Sequence, residues 1–302
     1  MQRREFIQKS AAASVVIAGS GLMSFAPDKG IHLTVLHTND VHSHVDPLPA
    51  NDPKNPNMGG VSRRAAIIEA IRRENDNVLL LDAGDIFQGT PYFNYYGGEL
   101  EMKLMSMLGY DLATLGNHDF DNGIEGFYKQ LPHAKFGFVS ANYDFSNTVL
   151  DGIVKPYRIF RKTGVKVGIF GLGVELKGLV DPRNYKETVY RDPIEIATDM
   201  ARTLKHDEGC DLVIALSHIG YAYKNDPDKV CDMTLAAKTR DIDLIIGGHT
   251  HTFLDKPTIV KNLDGQDVIV NQVGCYGVNL GRVDFYFEKG KDRRNVSRVI
   301  NV

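Results

Sequence analysis

The sequence predicts an α/β fold in which two mixed sheets pack face to face between outer helices. Three observations predict it. Short apolar, β-branched runs alternate with amphipathic helical segments along most of the 302 residues, the pattern of strand-and-helix units. The last third then turns strand after strand, which calls for mixed rather than purely parallel sheets. Five short blocks rich in Asp, Asn and His each follow an apolar run, which puts them at the C-terminal ends of strands, where open α/β sheets gather their ligands.

With 43% hydrophobic and 24% charged residues the chain can bury a full core as one large domain, and its composition excludes disorder. A net charge of -3 and a pI near 6.4 leave no basic footprint for duplex nucleic acid. Beyond the N-terminus no run is long and apolar enough to span a bilayer.

Residues 1–26 differ from the rest. Arg3-Arg4-Glu5-Phe6-Ile7 leads into the small-residue apolar run Ala11 to Gly21, too short to span a membrane, and then into the small-x-small site Ser24-Phe25-Ala26. This is the pattern of a twin-arginine export signal, which implies a periplasmic protein whose folded domain runs over 27–302. Pro27 is a poor neighbour for cleavage, so the cut itself stays open.

Ile31 to Leu36 is predicted as the first strand. Gly60 to Glu74 is a helix with Ala65, Ile68 and Ile71 inward and a basic face outward, where Arg63 and Arg64 are expected in solvent. Val78 to Leu81 is a short buried strand, Glu99 to Leu108 a helix, and Leu112 to Leu115, Lys135 to Ala141 and Val165 to Leu172 are strands. Pro193 to His206 carries Ile196, Met200 and Leu204 at helical spacing, with proline in the first turn. Leu212 to Leu216 is a strand, Asp228 to Thr239 a helix, and Ile242 to Ile246 a strand entering Gly247-Gly248. Lys256 to Lys261 and Gln266 to Gln272 flank the turn Leu263-Asp264-Gly265-Gln266, and Gly281 to Glu288 is the last strand. The proline-rich loop around Asn51 to Asn57 belongs at a site rim.

The five blocks are Asp40-Val41-His42, Gly84-Asp85, Gly116-Asn117-His118-Asp119, Ser217-His218 and Gly247-Gly248-His249-Thr250-His251. Their donors are carboxylate, amide and imidazole without thiolate, a set that suits two divalent ions such as Mn, Zn, Fe or Co. Two such ions sharing a carboxylate are the arrangement used to attack phosphorus. Asp85, placed after glycine at a strand end, is the expected shared carboxylate. Cys210, Cys231 and Cys275 are odd in number and match no zinc or redox spacing, so they read as small buried hydrophobes.

In this order, with His37-Thr38-Asn39 ahead of Asp40 and Ile86-Phe87-Gln88-Gly89-Thr90-Pro91 after Asp85, the blocks resemble those of the calcineurin-like metallophosphoesterases. Within that superfamily the chain resembles the catalytic domain of the 5'-nucleotidases. The resemblance implies a four-layer α/β-β/α sandwich and a two-metal phosphoric monoester hydrolase that releases phosphate by attack of a metal-bridging hydroxide. It implies Asp40, His42, Asp85 and His251 around one metal and Asp85, Asn117, His218 and His249 around the other. His118 becomes the catalytic histidine and Asp121, three positions on, the acid that orients it; Asp119 is set aside. His37 is expected to brace the loop from behind, and His44 to be a decoy.

A 2',3'-cyclic nucleotide phosphodiesterase or a broad phosphatase is the alternative within enzymes. A phosphatase-fold binding scaffold would be expected to have lost ligands, and none of the set is missing. Full-length 5'-nucleotidases continue into a second, nucleoside-binding domain, so a separate polypeptide supplying it is an expected partner beside the phosphate-ester substrate. Tyr92, Phe93, Tyr95 and Tyr96 are expected to pack a loop or interface, with stacking on a substrate base as the alternative.

Overall fold

The structure, a computed structural model, describes residues 30–290 and 293–302; the export signal read in residues 1–26 lies outside them. In chain order the main elements are β1 (Ile31–Thr38), α1 (Val61–Glu74), β2 (Val78–Asp82), α2 (Pro91–Tyr96), α3 (Glu99–Leu108), β3 (Leu112–Ala113), α4 (Gly123–Gln130), β4 (Gly137–Phe138), β5 (Tyr143–Asp144), β6 (Tyr157–Lys162) and β7 (Val165–Gly173). Then come α5 (Pro182–Tyr185), β8 (Val189–Tyr190), α6 (Pro193–Arg202), β9 (Leu212–His218), α7 (Asp232–Lys238), β10 (Leu244–Gly247), β11 (Thr258–Lys261), β12 (Asp267–Asn271), β13 (Asn279–Phe287) and β14 (Arg294–Asn301).

Two six-stranded sheets form, in the orders β14-β13-β1-β2-β3-β4 and β11-β12-β10-β9-β7-β6. Both are mixed. In the first, β1 to β4 run parallel and β13 is antiparallel to β1. In the second, β7, β9, β10 and β12 run parallel, with β6 and β11 antiparallel at the edges. Alternation along each strand builds three cores. Leu33, Val35, Leu79 and Leu81 meet Ile169, Ile214, Leu216 and Ile246 between the sheets. Leu36 and Leu80 turn outward onto Ile68 and Ile71 of α1 and Met102 and Met105 of α3. Val213, Ala215 and Ile245 turn outward onto Ala197 and Ala201 of α6 and Leu235 of α7. The result is the expected four-layer sandwich of helices, two mixed sheets and helices. Polar contacts also cross the sheet interface: Asn271 Nδ2 donates to His37 Nε2 at 2.9 Å, and burial pushes the His37 pKa down to about 3, so the ring is neutral there.

Several local expectations change. The strand expected over Lys135 to Ala141 shrinks to β4. The helix expected from Asp228 begins at Asp232, because Cys231 is its cap and donates its backbone N–H to Thr234 Oγ1 at 3.0 Å. Strands β6 and β14 went unread because, as sheet edges, they carry charge and only half-buried positions. Arg64 is not in solvent. It is 3% exposed, and its Nε and Nη1 find no hydrogen-bond partner among the described residues. The α1 face that holds it is covered by the loop after β1 and by Gly277, where an added Cβ would strike Arg64 Nη1.

Candidate metal centre

All five blocks arrive at one end of the sandwich, because β1, β2, β3, β9 and β10 run parallel within their sheets and each block follows one of these strands. The chain then turns sharply. Asp40, His42, Asp85, His249 and His251 all have left-handed backbones, with φ between 49° and 72°. Such a conformation costs a non-glycine residue about 1–3 kcal/mol and persists only where the surroundings impose it. Here they do: Asp40 N–H donates to Gly84 O at 2.9 Å, His42 N–H to Asp85 O at 3.0 Å, and His249 N–H to Asp40 Oδ1 at 2.9 Å.

The glycines of the blocks are contact residues. A Cβ on Gly116 would stand 2.5 Å from Asp85 N, and one on Gly248 would stand 2.7 Å from His218 Nδ1. Only hydrogen fits between these loops and the ligands they support.

The side chains converge in two groups. Donor atoms of Asp40, His42, Asp85 and His251 lie within 4.8 Å of one another, as do those of Asp85, His218 and His249, and Asp85 belongs to both. Asn117 joins the second through its Oδ1, 2.8 Å from His249 Nδ1. Asp85 Oδ2 is 3.1 Å from His218 Nε2 and 3.7 Å from His42 Nε2, and Asp40 Oδ1 is 3.3 Å from His251 Nε2.

These donors suit a pair of cations. His42 Nε2 and His251 Nε2 face each other at 3.0 Å, a contact that a proton or a metal must mediate. Among the described residues His218 Nε2 is buried without an aligned hydrogen-bond partner. His218 Nδ1 donates to Ala83 O at 2.7 Å and His42 Nδ1 to Phe87 O at 3.3 Å, which fixes both tautomers with Nε2 as the free donor atom. Asn39 Nδ2 donates to Asp40 Oδ2 at 2.6 Å and orients that carboxylate.

The close carboxylates and imidazoles shift one another's protonation. Burial alone would depress His218, but Asp85 and Asp40 overcome it and raise its pKa to about 10. His251 is likewise raised to about 10 against burial, by hydrogen bonds to Asp40 and Cys275. Burial and the neighbouring His218 push His249 down to about 4. Burial disfavours charge on Asp85, yet the surrounding histidines hold it well below the usual carboxylate range.

His118 stands beside the cluster on a single turn, its ring 5.3 Å from that of His42. Its Nδ1 is 2.8 Å from Asp121 Oδ2, and this bond is the main reason its pKa is raised. His118, His42, His251, His44, Gln88, Asp52 and Tyr276 share a cleft of about 420 Å³.

Asp119 does something the sequence reading did not assign. Its Oδ2 accepts from Gly116 N–H at 2.8 Å and Asp85 N–H at 3.1 Å, and its Oδ1 from Ile86 N–H at 3.0 Å and Phe87 N–H at 3.2 Å. It ties the Asp85 loop to the Asn117 loop. A carboxylate inside a run of turn residues was the available signal. His44 lines the cleft but lies outside both donor groups; its Nδ1 is 2.9 Å from His42 O. Of the aromatic cluster only Phe93 packs into the core. Tyr95 is 83% and Tyr96 48% exposed, so neither packs into the core of this chain.

A family model described as calcineurin-like phosphoesterase matches residues 33–253. A snake venom 5'-nucleotidase of Gloydius brevicauda is 37% identical over 285 residues, covering 87% of this chain and 46% of the relative. The trifunctional nucleotide phosphoesterase protein YfkN of Bacillus subtilis is 36% identical over 303 residues, covering 88% of this chain and 19% of the relative. The solved structure of a 5'-nucleotidase precursor from Thermus thermophilus superposes with a TM-score of 0.79 at 34% identity, covering 90% of this chain and 55% of that one. The chain thus spans about half the length of the nucleotidases it matches. Among the described residues no helix is long and apolar enough to cross a membrane.

Proposed function

Because the chain belongs to the calcineurin-like phosphoesterase family, we propose that it is a dinuclear-metal phosphoric monoester hydrolase of 5'-nucleotidase type. The observation that carries the reading is the pair of donor groups sharing Asp85, with His118 and Asp121 beside them. Asp40, His42, Asp85 and His251 would hold one divalent ion, and Asp85, Asn117, His218 and His249 the other. The oxygen and nitrogen donors suit Mn, Zn, Fe or Co. When bound, the ions would supply Lewis acidity to the phosphoryl oxygens and to the attacking water.

The remaining work falls to the chain's own groups. Asp121 engages His118 Nδ1, leaving Nε2 free for the substrate. The raised pKa keeps the ring charged nearer to neutral pH, so Nε2–H stabilises negative charge on the phosphoryl group and passes its proton to the departing alkoxide. Asp119 fixes the Asp85 loop through the Asp85 and Ile86 amides, and His118 N–H donates to Asp85 Oδ1 at 2.8 Å, which orients that carboxylate.

The similarity to a trifunctional nucleotide phosphoesterase supports nucleotides as the substrate class and favours activity on more than one kind of ester as the second reading. Export to the periplasm through the twin-arginine pattern of residues 1–26 is part of the same proposal.

A substrate panel on metal-loaded protein tests it, comparing nucleoside 5'-monophosphates, 2',3'-cyclic nucleotides, sugar nucleotides and an aryl phosphate. Monophosphates should be hydrolysed, and His118→Ala should lower kcat by about 10²- to 10⁴-fold with both metals retained. No hydrolysis of any ester, or full activity in His118→Ala, refutes the reading. Efficient hydrolysis of nucleoside monophosphates by the chain alone rules out a required second polypeptide.

A further inference from the structure

We propose that Tyr276 is the wall on which the alcohol portion of the substrate rests, and that it selects phosphate esters whose alcohol carries a planar ring. The inference rests on the phosphoesterase reading and extends it to the end of the substrate away from phosphorus.

The first observation is conformational. Tyr276 has φ 60°, between Gly274 at 84° and Gly277 at 64°. A left-handed backbone is an outlier for a bulky aromatic residue, whereas its flanking glycines adopt it freely. The segment is pinned there by its own N–H, which donates to Asp40 O at 2.8 Å. That hydrogen bond holds one ring against the loop that carries Asp40 and His42 despite the strain, and strained residues cluster at functional sites.

The second observation is where the ring stands. It lies 4.2 Å from the His44 ring at 31°, and 6.0 Å from the rings of both His42 and His251. His44 is itself fixed, its Nδ1 lying 2.9 Å from His42 O and 3.2 Å from Val41 O. The pair makes a preformed aromatic surface beside one metal-ligand group.

The third is which cleft it faces. The cleft that holds Tyr276 and His44 also holds His118, whereas Asn117, His218 and His249 do not line it. A leaving oxygen that takes its proton from His118 must depart on this side, so the carbon attached to it enters this cleft. Asp52 and Gln88 line the same cleft and offer polar groups to hydroxyls of the alcohol. The exposed Tyr95 and Tyr96 instead line a separate hollow with Tyr92, Pro91 and Asp46.

The test uses Tyr276→Gly and Tyr276→Asn, two residues that accept φ near 60° without strain, beside Tyr276→Phe, which keeps the ring. Metal-loaded protein is assayed on a nucleoside 5'-monophosphate and on glycerol phosphate, and the ratio of their kcat/KM values is read. Loss of a stacking surface should lower that ratio about tenfold in the Gly and Asn variants, mainly through KM for the nucleotide. Phe should keep the wild-type ratio. An unchanged ratio in Gly and Asn, or an equal loss in Phe, overturns the proposal. If the wild-type protein hydrolyses neither ester, the phosphoesterase reading itself fails.

Discussion

Replacing Gly116 by alanine should cost the metal centre more than the fold. The added Cβ would sit 2.5 Å from Asp85 N and 2.7 Å from Asp85 Cγ, and closer still to Oδ1. Ordinary contact distance is about 3.5 Å, so roughly 1 Å of separation has to be found. Asp85 cannot supply it through its backbone, since its N–H donates to Asp119 Oδ2 at 3.1 Å and its carbonyl accepts from His42 N–H at 3.0 Å. The Gly84 backbone is packed as closely against this loop, since a Cβ added there would stand 2.5 Å from Gly116 N. The Asp85 carboxylate, or the loop bearing Asn117 and His118, must therefore shift. Overpacking of this kind costs about 1–3 kcal/mol of stability. A 1 Å misplacement of reacting groups costs about 10²-fold in rate. Urea denaturation, metal analysis after dialysis, and phosphate release should together show a folded protein with reduced metal content and about 10²-fold lower turnover. Two metals per chain with turnover within about twofold of wild type would refute the argument that glycine is there for contact.

Asp119→Asn should destabilise the protein without removing a metal donor. The amide keeps one acceptor oxygen where the carboxylate served four backbone N–H groups, leaving buried donors unsatisfied at about 1–3 kcal/mol each; an unchanged denaturation midpoint would contradict this. Removing the metals should make stability depend on pH in a defined direction. His218 and His251 are raised from 6.5 to about 10 in the metal-free protein, so their pairing with Asp85 and Asp40 stabilises fully below about pH 6.5 and is lost as pH rises through about 10. Thermal melts of chelated protein should therefore fall between pH 7 and 10 more steeply than those of reconstituted protein. Metal uptake should release protons and tighten with rising pH in calorimetric titrations, and affinity independent of pH would count against these histidines as ligands.

Local pattern made much of this protein legible in its sequence. Helix α3 has the limits its periodicity predicts, and β1, β2, β7 and β9 extend the expected strands by one or two residues. Elements whose burial is one-sided or slight were harder. The polar edges β6 and β14 look like surface chain until a neighbour pairs with them. Arg64 looks like a solvated arginine until the loop after β1 and Gly277 close over its helix.

By itself the sequence determined the donor chemistry and the strand ends that deliver it, since residue type and hydrophobic period are local properties. Tertiary structure alone decided which donors share a space. Asp85 and His218 are 133 residues apart and come within 3.1 Å because two different sheets stack with their parallel strands ending on one side. Pairing of β2 with β3 gave Asp119 four amides to bind, and pairing of β13 with β1 brought Tyr276 to the loop of Asp40. A side chain's partners across sheets depend on register and packing, and no short window of sequence contains them.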